Sequence, residues 1–468
     1  MNRKYLDEHI SKGLWALLEI PLDRCSDVSL YKQISYHLKR MIESGTLQVG
    51  MRLPGSRFLA RTLGVSRNTV VLAYDLLEDD GYIEQRGRKG AFVTFRRKVL
   101  LDLPKPEGPT WDLASGTPSM DLIPWKELGS ISREIIYAKG SLSLTPPPLA
   151  GLPELRKALV RHAASRGIPA RWEDVVVTTG GKQGLFLSLM SLAEIGVQKI
   201  WVEELTYPDI FPMINKLKLQ VETVPMAPAD MLERCNILKE KDALYLIPSF
   251  HNPTGRTMDY ETRKEVLALA KKKGFWIIED DAYGELRYSA QSVPAMKAME
   301  NAEKVIYLGS FSQLLFPGLR NGYALVPNQL KEEFREALAC SAGTVSSLVQ
   351  YLVSAFLSEG LLENCLERAR KEISKRMDCL ISSIEKLLPH ALAEKPLGGI
   401  YLWVTLPGLS DESLHALALS EDISVVPGKE FTKDKRETFS VRLSVSSLGI
   451  NDLKQAVERL AKAWGDKQ

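Results

Sequence analysis

Short apolar runs alternate with helical patterns from Trp111 to the end of the chain, and this alternation restricts the fold more than any other feature. The runs that are typical of buried strands are residues 175–177, 200–202, 244–247, 275–278 and 305–308. Strands that alternate with helices form a largely parallel sheet covered by helices on both faces. The sequence therefore predicts an α/β domain whose ligands bind beyond the carboxyl ends of its strands.

Glycines and charged side chains follow these predicted strands. Gly181 and Lys182 follow the first one and open a helix, whose N-terminal amides can face a phosphate. Glu279, Asp280 and Asp281 follow the fourth, and like charges this close are costly unless a cation or a protonated nitrogen lies among them. A solvated strand end would explain any one such segment, but a series of them favours a ligand site.

The segment GSFSQLLFPGLR, residues 309–320, follows the fifth predicted strand and carries groups that bind phosphate. Ser310 and Ser312 offer hydroxyls and Arg320 offers a guanidinium, which together can hold a dianion. Gln313 lies between them, and its carboxamide is neither nucleophilic nor basic. Near the C-terminus, Arg442 alternates with apolar neighbours and is expected on the polar face of a strand, as a carboxylate ligand or as an ordinary exposed arginine.

The N-terminal part of the chain is basic. Residues 28–98 carry 13 Lys and Arg against 6 Asp and Glu, whereas the whole chain has a net charge of +3, so the remainder is mildly acidic. Three helical patterns fill this part, and Ser66 is placed to cap the third helix. The first turn of that helix is expected to direct Arg67, Asn68 and Thr69 outward. Two strand-like runs, 82–85 and 91–95, flank a basic tip and complete a winged helix-turn-helix.

Residues 45–93 closely resemble the winged helix-turn-helix of GntR-type bacterial regulators, in which the third helix enters the major groove of DNA. By this resemblance, the following residues lie at DNA-contacting positions: Arg57, Ser66, Arg67, Asn68, Thr69 and Gly87. Contacts to phosphates, which set register without reading sequence, are expected from Arg52, Arg57 and the wing residues Arg86 and Arg88. A winged helix that docks another protein is the alternative.

Composition also predicts the domain boundaries. Residues 99–110 contain three prolines and a glycine and indicate a linker. An N-terminal extension, 1–27, precedes the winged helix-turn-helix at 28–98. The α/β domain follows at 111–468, with a large subdomain at about 140–345 and a smaller C-terminal α+β subdomain at about 346–468.

Several functional classes are disfavoured by the sequence. It contains no apolar run of membrane-spanning length, and its first residues do not have the pattern of a signal peptide. Its five cysteines are scattered, without the spacing of disulfide frameworks or metal ligands. We therefore expect a cytoplasmic protein without a metal site or a membrane partner.

From Trp111 onward the chain resembles the fold type I pyridoxal-phosphate enzymes of the aminotransferase family, with the motifs GLPELRKAL, HNPTG, EDDAYGELRY, PLGGIYLW and VRLS. Behind a GntR-type module, this is the organisation of MocR-type regulators. The resemblance implies that Asp280 pairs with the pyridinium nitrogen of pyridoxal 5'-phosphate, that Asn252 and Tyr283 bind the ring hydroxyl, and that Tyr207 stacks on the ring. The phosphate would be held by Gly181, Lys182, Ser310, Ser312 and Arg320, and an amino-acid carboxylate by Arg442.

Four positions depart from the family pattern. Gln313 occupies the position of the lysine that forms the Schiff base with the cofactor, so the resemblance implies that neither covalent capture nor proton transfer occurs there. Pro146 replaces a tyrosine that reaches the phosphate of the neighbouring subunit. Gly181 stands where serine or threonine is common, and Lys182 stands in place of the usual glutamine.

Three hypotheses about the function follow. The first is a homodimeric regulator that binds double-stranded DNA and senses pyridoxal phosphate or an amino acid without transamination. The second is a regulator whose aminotransferase-like domain is a cofactor-free dimerisation scaffold or senses another anion. The third, a working aminotransferase that uses another amine such as Lys182, is disfavoured because this lysine is expected at the phosphate end of the site.

Overall fold

The computed structural model describes residues 20–24, 26, 28–94, 109–289, 293–311, 317–341 and 343–465. Ser312 and Gln313 lie outside the described residues. The chain divides into two compact units, Met1–Glu107 and Gly108–Gln468. No described helix is both long enough and apolar enough to cross a membrane.

Within its described residues, the smaller unit has three α-helices and a two-stranded antiparallel hairpin. The elements are α1 (Leu30–Glu43), α2 (Ser56–Leu63), α3 (Arg67–Asp79), β1 (Ile83–Gln85) and β2 (Ala91–Val93). Their apolar faces bury Ile34, Leu38, Leu59, Val70 and Leu77 in one cluster. This is the predicted helix-turn-helix with a wing, since helical periodicity and hairpin alternation direct the apolar side chains into one core.

The larger unit begins with short elements and two helices. They are β3 (Trp111–Asp112), α4 (Trp125–Lys139) and α5 (Pro153–Ser165). β3 pairs in parallel with β13 (Ile423–Ser424), so the start of this unit is fixed to its C-terminal part.

A seven-stranded sheet forms the centre of the larger unit, in the order β4-β10-β9-β8-β7-β5-β6. Its strands are β4 (Val175–Thr178), β5 (Lys199–Glu203), β6 (Gln220–Val224), β7 (Asp242–Leu246), β8 (Trp276–Asp280), β9 (Val305–Ser310) and β10 (Gly322–Leu325). All five predicted strands are present, and β5 to β9 run parallel, as expected. β10 lies antiparallel between β9 and β4.

Helices and a second sheet complete this unit. The helices are α6 (Gly181–Glu194), α7 (Ile210–Lys216), α8 (Pro228–Cys235), α9 (Tyr260–Lys273), α10 (Lys331–Cys340), α11 (Ser347–Ser358), α12 (Leu361–Leu387), α13 (Asp411–Ser420) and α14 (Ile450–Gly465). The second sheet has the order β11-β12-β15-β14 and consists of β11 (Leu392–Ala393), β12 (Tyr401–Thr405), β14 (Val426–Pro427) and β15 (Ser440–Ser444). It packs in one apolar cluster with α12 and α14.

Candidate functional site

Arg442 lies in β15, and all five residues of this strand are buried. Its side chain donates through Nη1 to Asn252 Oδ1 at 2.9 Å and through Nη2 to the carbonyl of Ala114 at 2.6 Å. The strand is therefore buried on both faces, and the alternative of an ordinary exposed arginine is wrong. Period-two alternation does not distinguish a polar face in solvent from one that lines a cleft.

The guanidinium of Arg442 retains capacity to bind an anion. The Cζ atom of Arg442 lies 4.0 Å from the ring centroid of Tyr401 and 5.0 Å from that of Phe431. The two rings stabilise the positive charge of the guanidinium. Its Nε atom is buried and has no hydrogen-bond partner among the described residues. A buried donor without a partner is costly, and a carboxylate oxygen would satisfy it.

Asp280 ends β8 with its carboxylate buried. Oδ2 accepts a hydrogen bond from the Tyr245 hydroxyl at 2.8 Å, and Oδ1 accepts one from the amide of Ala282 at 3.2 Å. Burial raises the pKa of this carboxyl from 3.8 to about 6, because neither hydrogen bond fully replaces lost hydration. Asp280 has no ion pair in the described part of the chain, so a protonated ring nitrogen is a partner that its chemistry favours.

The two carboxylates beside Asp280 have separate roles. Glu279 accepts hydrogen bonds from the amides of Met296 and Lys297, at 2.7 and 2.8 Å. Asp281 instead pairs with Arg166 at 2.5 Å. A cation therefore lies among these carboxylates, beside Asp281, while successive side chains of the extended segment point in different directions and give Asp280 other surroundings.

Tyr283 and Tyr207 lie near Asp280, as the resemblance implies. The Tyr283 hydroxyl donates to the hydroxyl of Tyr401 at 3.1 Å, and the two rings meet edge to face with centroids 5.4 Å apart. Burial raises the pKa of both Tyr207 and Tyr283, and the nearby negative charge of Asp280 raises each further. The structure thus brings four predicted residues, Asn252, Asp280, Tyr283 and Arg442, into one buried cluster, with Tyr207 beside it.

The predicted phosphate end of the cleft is built on a tight turn. Gly180 has φ 108°, and α6 begins at the next residue. A Cβ atom on Gly181 would lie 3.8 Å from the Cβ of Ser310, so the helix start and the end of β9 are neighbours. Arg320 is exposed and has φ 48°, an uncommon conformation for a residue other than glycine.

Lys182, a predicted phosphate ligand, pairs with a carboxylate in the ligand-free protein. Its Nζ lies 2.6 Å from Asp209 Oδ2, and the Tyr207 hydroxyl donates to the same oxygen at 2.7 Å. Burial alone would raise the pKa of Asp209, but these two hydrogen bonds hold it below its ordinary value. The charge of Lys182 is thus offset by a carboxylate.

The predicted DNA-binding surface of the smaller unit begins at the third helix. Ser66 accepts a hydrogen bond from the amide of Thr69 at 3.1 Å and so caps α3, as predicted. Ser66, Arg67 and Asn68 are exposed, and Thr69 is half-buried. The turn before the cap is tight because Gly64 adopts φ 62°.

One arginine of the wing, Arg86, lies close to a carboxylate. Arg86 pairs with Glu84 at 2.8 Å, and both are about half exposed. Gly87 has φ 53° at the tip, and the Nε of Arg52 lies 2.8 Å from the place of a Cβ on Gly90, so Arg52 packs on the wing. Arg57, another predicted phosphate contact, is exposed. The side chain of Arg88, the remaining one, lies outside the described residues.

Tyr245 and Tyr401 are site residues that the sequence interpretation missed. Tyr401 lies in the quoted motif PLGGIYLW, where an aromatic residue in a strand is equally typical of a core. Tyr245 lies within an apolar run, and no pattern in the sequence joins it to Asp280, 35 residues further along. Only pairing of β7 with β8 places them side by side.

Comparison with known proteins identifies the class. Residues 111–460 match the family described as aminotransferase class I and II, and residues 30–93 match the bacterial regulatory proteins of the gntR family. The chain therefore belongs to the class I and II aminotransferase family and carries a GntR-type helix-turn-helix domain ahead of it. This confirms the predicted fold class and the organisation of MocR-type regulators.

Relatives of similar length share both parts. The chain is 29% identical to the HTH-type transcriptional regulator YisV of Bacillus subtilis (strain 168), over 94% of this chain and 96% of that protein. It is 27% identical to the probable rhizopine catabolism regulatory protein MocR of Rhizobium meliloti, over 87% of this chain and 88% of that protein.

A solved structure matches the larger unit. The α-aminoadipate aminotransferase LysN from Thermus thermophilus, complexed with N-(5'-phosphopyridoxyl)-L-leucine, has a TM-score of 0.70 and 29% identity, over 76% of this chain and 92% of that chain. The residues present here fit a pyridoxal-phosphate group. The buried carboxylate of Asp280, whose pKa is raised, suits the ring nitrogen of this group. The Nε of Arg442, which has no partner among the described residues, suits a bound carboxylate. The glycine turn beside Ser310 suits the phosphate.

Proposed function

We propose that this protein is a DNA-binding transcriptional regulator whose aminotransferase-like domain senses pyridoxal phosphate, an amino acid or both without catalysing transamination. The observation that carries the proposal is the buried cluster of Asn252, Asp280 and Arg442 in a chain that also presents a helix-turn-helix. The glutamine that the resemblance places at the lysine position separates this function from that of an enzyme.

DNA binding is supported by the smaller unit. Arg67 and Asn68 lie exposed in the first turn of α3, the part of a recognition helix that contacts base edges. Arg52, Arg57 and the wing supply positive charge for phosphates. We propose that the protein acts on an operator in the cytoplasm.

Ligand sensing is supported by the groups in the cleft. When bound, pyridoxal phosphate supplies a ring that withdraws electrons and an aldehyde that reacts with amines. Asp280 would hold a proton on the ring nitrogen, with Tyr245 fixing the carboxylate. Arg442 would bind the carboxylate of an amino acid, and Gln313 would contact the ligand without exchanging a proton.

A homodimer is supported by an exposed apolar patch in the larger unit. Tyr137, Leu142 and Leu144 are 76%, 59% and 79% exposed, close together at the end of α4 and in the turn after it. Large apolar side chains this exposed are typical of interaction surfaces. Two winged helices in a dimer would read two half-sites, and a coupling of about 1–3 kcal/mol between ligand and operator binding would suffice for a switch.

Other observations favour the two alternative functions, the cofactor-free scaffold and the working enzyme. Pro146 and the ion pair of Lys182 with Asp209 favour a cofactor-free scaffold, because both weaken the expected phosphate site. The aminotransferases among the similar proteins favour residual enzymatic activity.

A spectroscopic titration of the full-length protein with pyridoxal phosphate tests the proposal. We expect a saturable change in absorbance that Asp280→Ala weakens and that the exposed control Asp434→Asn leaves intact. Borohydride reduction followed by peptide mass spectrometry should find no cofactor bound at residue 313. The absence of saturable binding would favour the scaffold, and a reducible lysine adduct with amino-acid turnover would favour the enzyme.

A further inference from the structure

A second cavity of the larger unit lies between α5 and the turn that joins α11 to α12. Its volume is about 920 Å³. Arg161, His162 and Ser165 of α5 line one side, Ser358 is the last residue of α11, and Arg287 follows β8. None of its described lining residues is among those predicted to hold the cofactor, so the cavity is distinct from the cleft.

One wall of this cavity is formed by Glu285 and the basic side chains that pair with it, whose charges offset one another. Glu285 lies 2.9 Å from His162 Nε2, and 3.2 Å from both Arg166 Nε and Arg370 Nη2. Arg166 also pairs with Asp281 at 2.5 Å. Burial alone would raise the pKa of Glu285, but the hydrogen bond from His162 and the charge of Arg166 hold it at about 2. This carboxylate therefore stays ionised and offsets the surrounding cations.

Two arginines of the cavity are not neutralised in this way. Arg161 donates to Ser358 Oγ at 3.2 Å, and neither Arg161 nor Arg287 has an ion pair in the part of the chain that the structure describes. The remaining carboxylate at the cavity, Glu363, pairs with Arg370 at 2.5 Å. Two guanidinium groups without carboxylate partners in this part of the cavity are suited to an anion, because their planar donors match carboxylate and phosphate oxygens.

We propose that this cavity is a second ligand site, which binds a small anion bearing carboxylate or phosphate groups through Arg161 and Arg287. Ser165 and Ser358 supply hydroxyl donors beside these cations. The ligand would bridge α5, the end of α11 and the segment that follows β8. The proposal goes beyond the proposed function and depends on neither DNA binding nor cofactor binding.

Isothermal titration calorimetry of the full-length protein with sodium succinate and, separately, with inorganic phosphate tests the proposal. The variants are Arg161→Gln with Arg287→Gln, which removes the charge, and Ser165→Trp, which fills the cavity from an exposed helix position. The matched control neutralises two exposed arginines that do not line the cavity, Arg234→Gln with Arg335→Gln. Circular dichroism checks that each variant is folded.

We expect saturable binding of at least one anion to the wild-type protein. Both cavity variants should weaken it by about tenfold or more, since each loses or blocks charge-assisted hydrogen bonds, and the control should not. Binding of phosphate alone or succinate alone identifies which chemistry the site takes. The proposal is overturned if the wild-type protein binds neither anion, if binding persists in both cavity variants, or if Arg442→Gln abolishes it, which would locate the anion in the cleft.

Discussion

Replacing Asp280 with Asn is expected to stabilise the ligand-free aminotransferase-like unit at pH 8 and, under the proposed function, to weaken cofactor binding. The carboxyl of Asp280 is buried, and its pKa is raised from 3.8 to about 6. The folded state therefore holds a proton that the unfolded state has released between about pH 4 and pH 6. Stability is lost as the pH rises through this window, because the folded state must then bury a charge.

The size of the effect follows from the pKa and the contacts of this carboxylate. A shift of about two units corresponds to about 3 kcal/mol of unfolding free energy above pH 6. The Asn amide has one oxygen where the carboxylate has two, so it loses one of the hydrogen bonds from Tyr245 and Ala282, at about 1 kcal/mol. The net gain of Asp280→Asn is about 2 kcal/mol at pH 8.

The pH dependence separates this explanation from a general packing effect. At pH 5 most of the buried carboxyl is protonated, so the advantage of the variant should shrink by about 1.4 kcal/mol relative to pH 8. Urea unfolding followed by tryptophan fluorescence measures it, since seven of the eight tryptophans lie at or after Trp111. Asp434→Asn, at an exposed position, is the control. A stability difference that does not change with pH, or a loss of stability at both pH values, would refute the reasoning.

The other predictions concern the smaller unit and residue 313. Arg67→Ala should abolish operator-specific protection in footprinting, whereas the exposed control Arg61→Ala should retain it; an unchanged footprint for Arg67→Ala would contradict the recognition-helix assignment. Ser66→Ala should destabilise the winged helix-turn-helix by about 1 kcal/mol, because the amide of Thr69 loses its cap, and thermal unfolding would show no shift if the cap were unimportant. Gln313→Lys should produce a borohydride-reducible cofactor adduct, detected by mass spectrometry, and its absence would argue against residue 313 lying at the aldehyde.

Local patterns carried much of the information about the fold. Apolar runs identified five strands of the central sheet, because both faces of these strands are buried, which favours unbroken apolar sequence. They missed β6, whose residues Gln220–Val224 alternate in exposure, and β10, which begins at Gly322. β6 contains Gln220, Glu222 and Thr223, and β10 begins with Gly322, so neither strand is an unbroken apolar run.

The sequence by itself determined that this protein has a GntR-type helix-turn-helix and an aminotransferase-like α/β domain, because periodicity, caps and motifs are local properties of a chain. It also determined which residue types are available at the strand ends. Only the tertiary structure decided how they are partnered, bringing Asn252 to Arg442 across 190 residues and diverting Lys182 to Asp209. Which side chains become partners depends on which strands lie side by side and on which polar groups are buried together. Both are set by the whole fold.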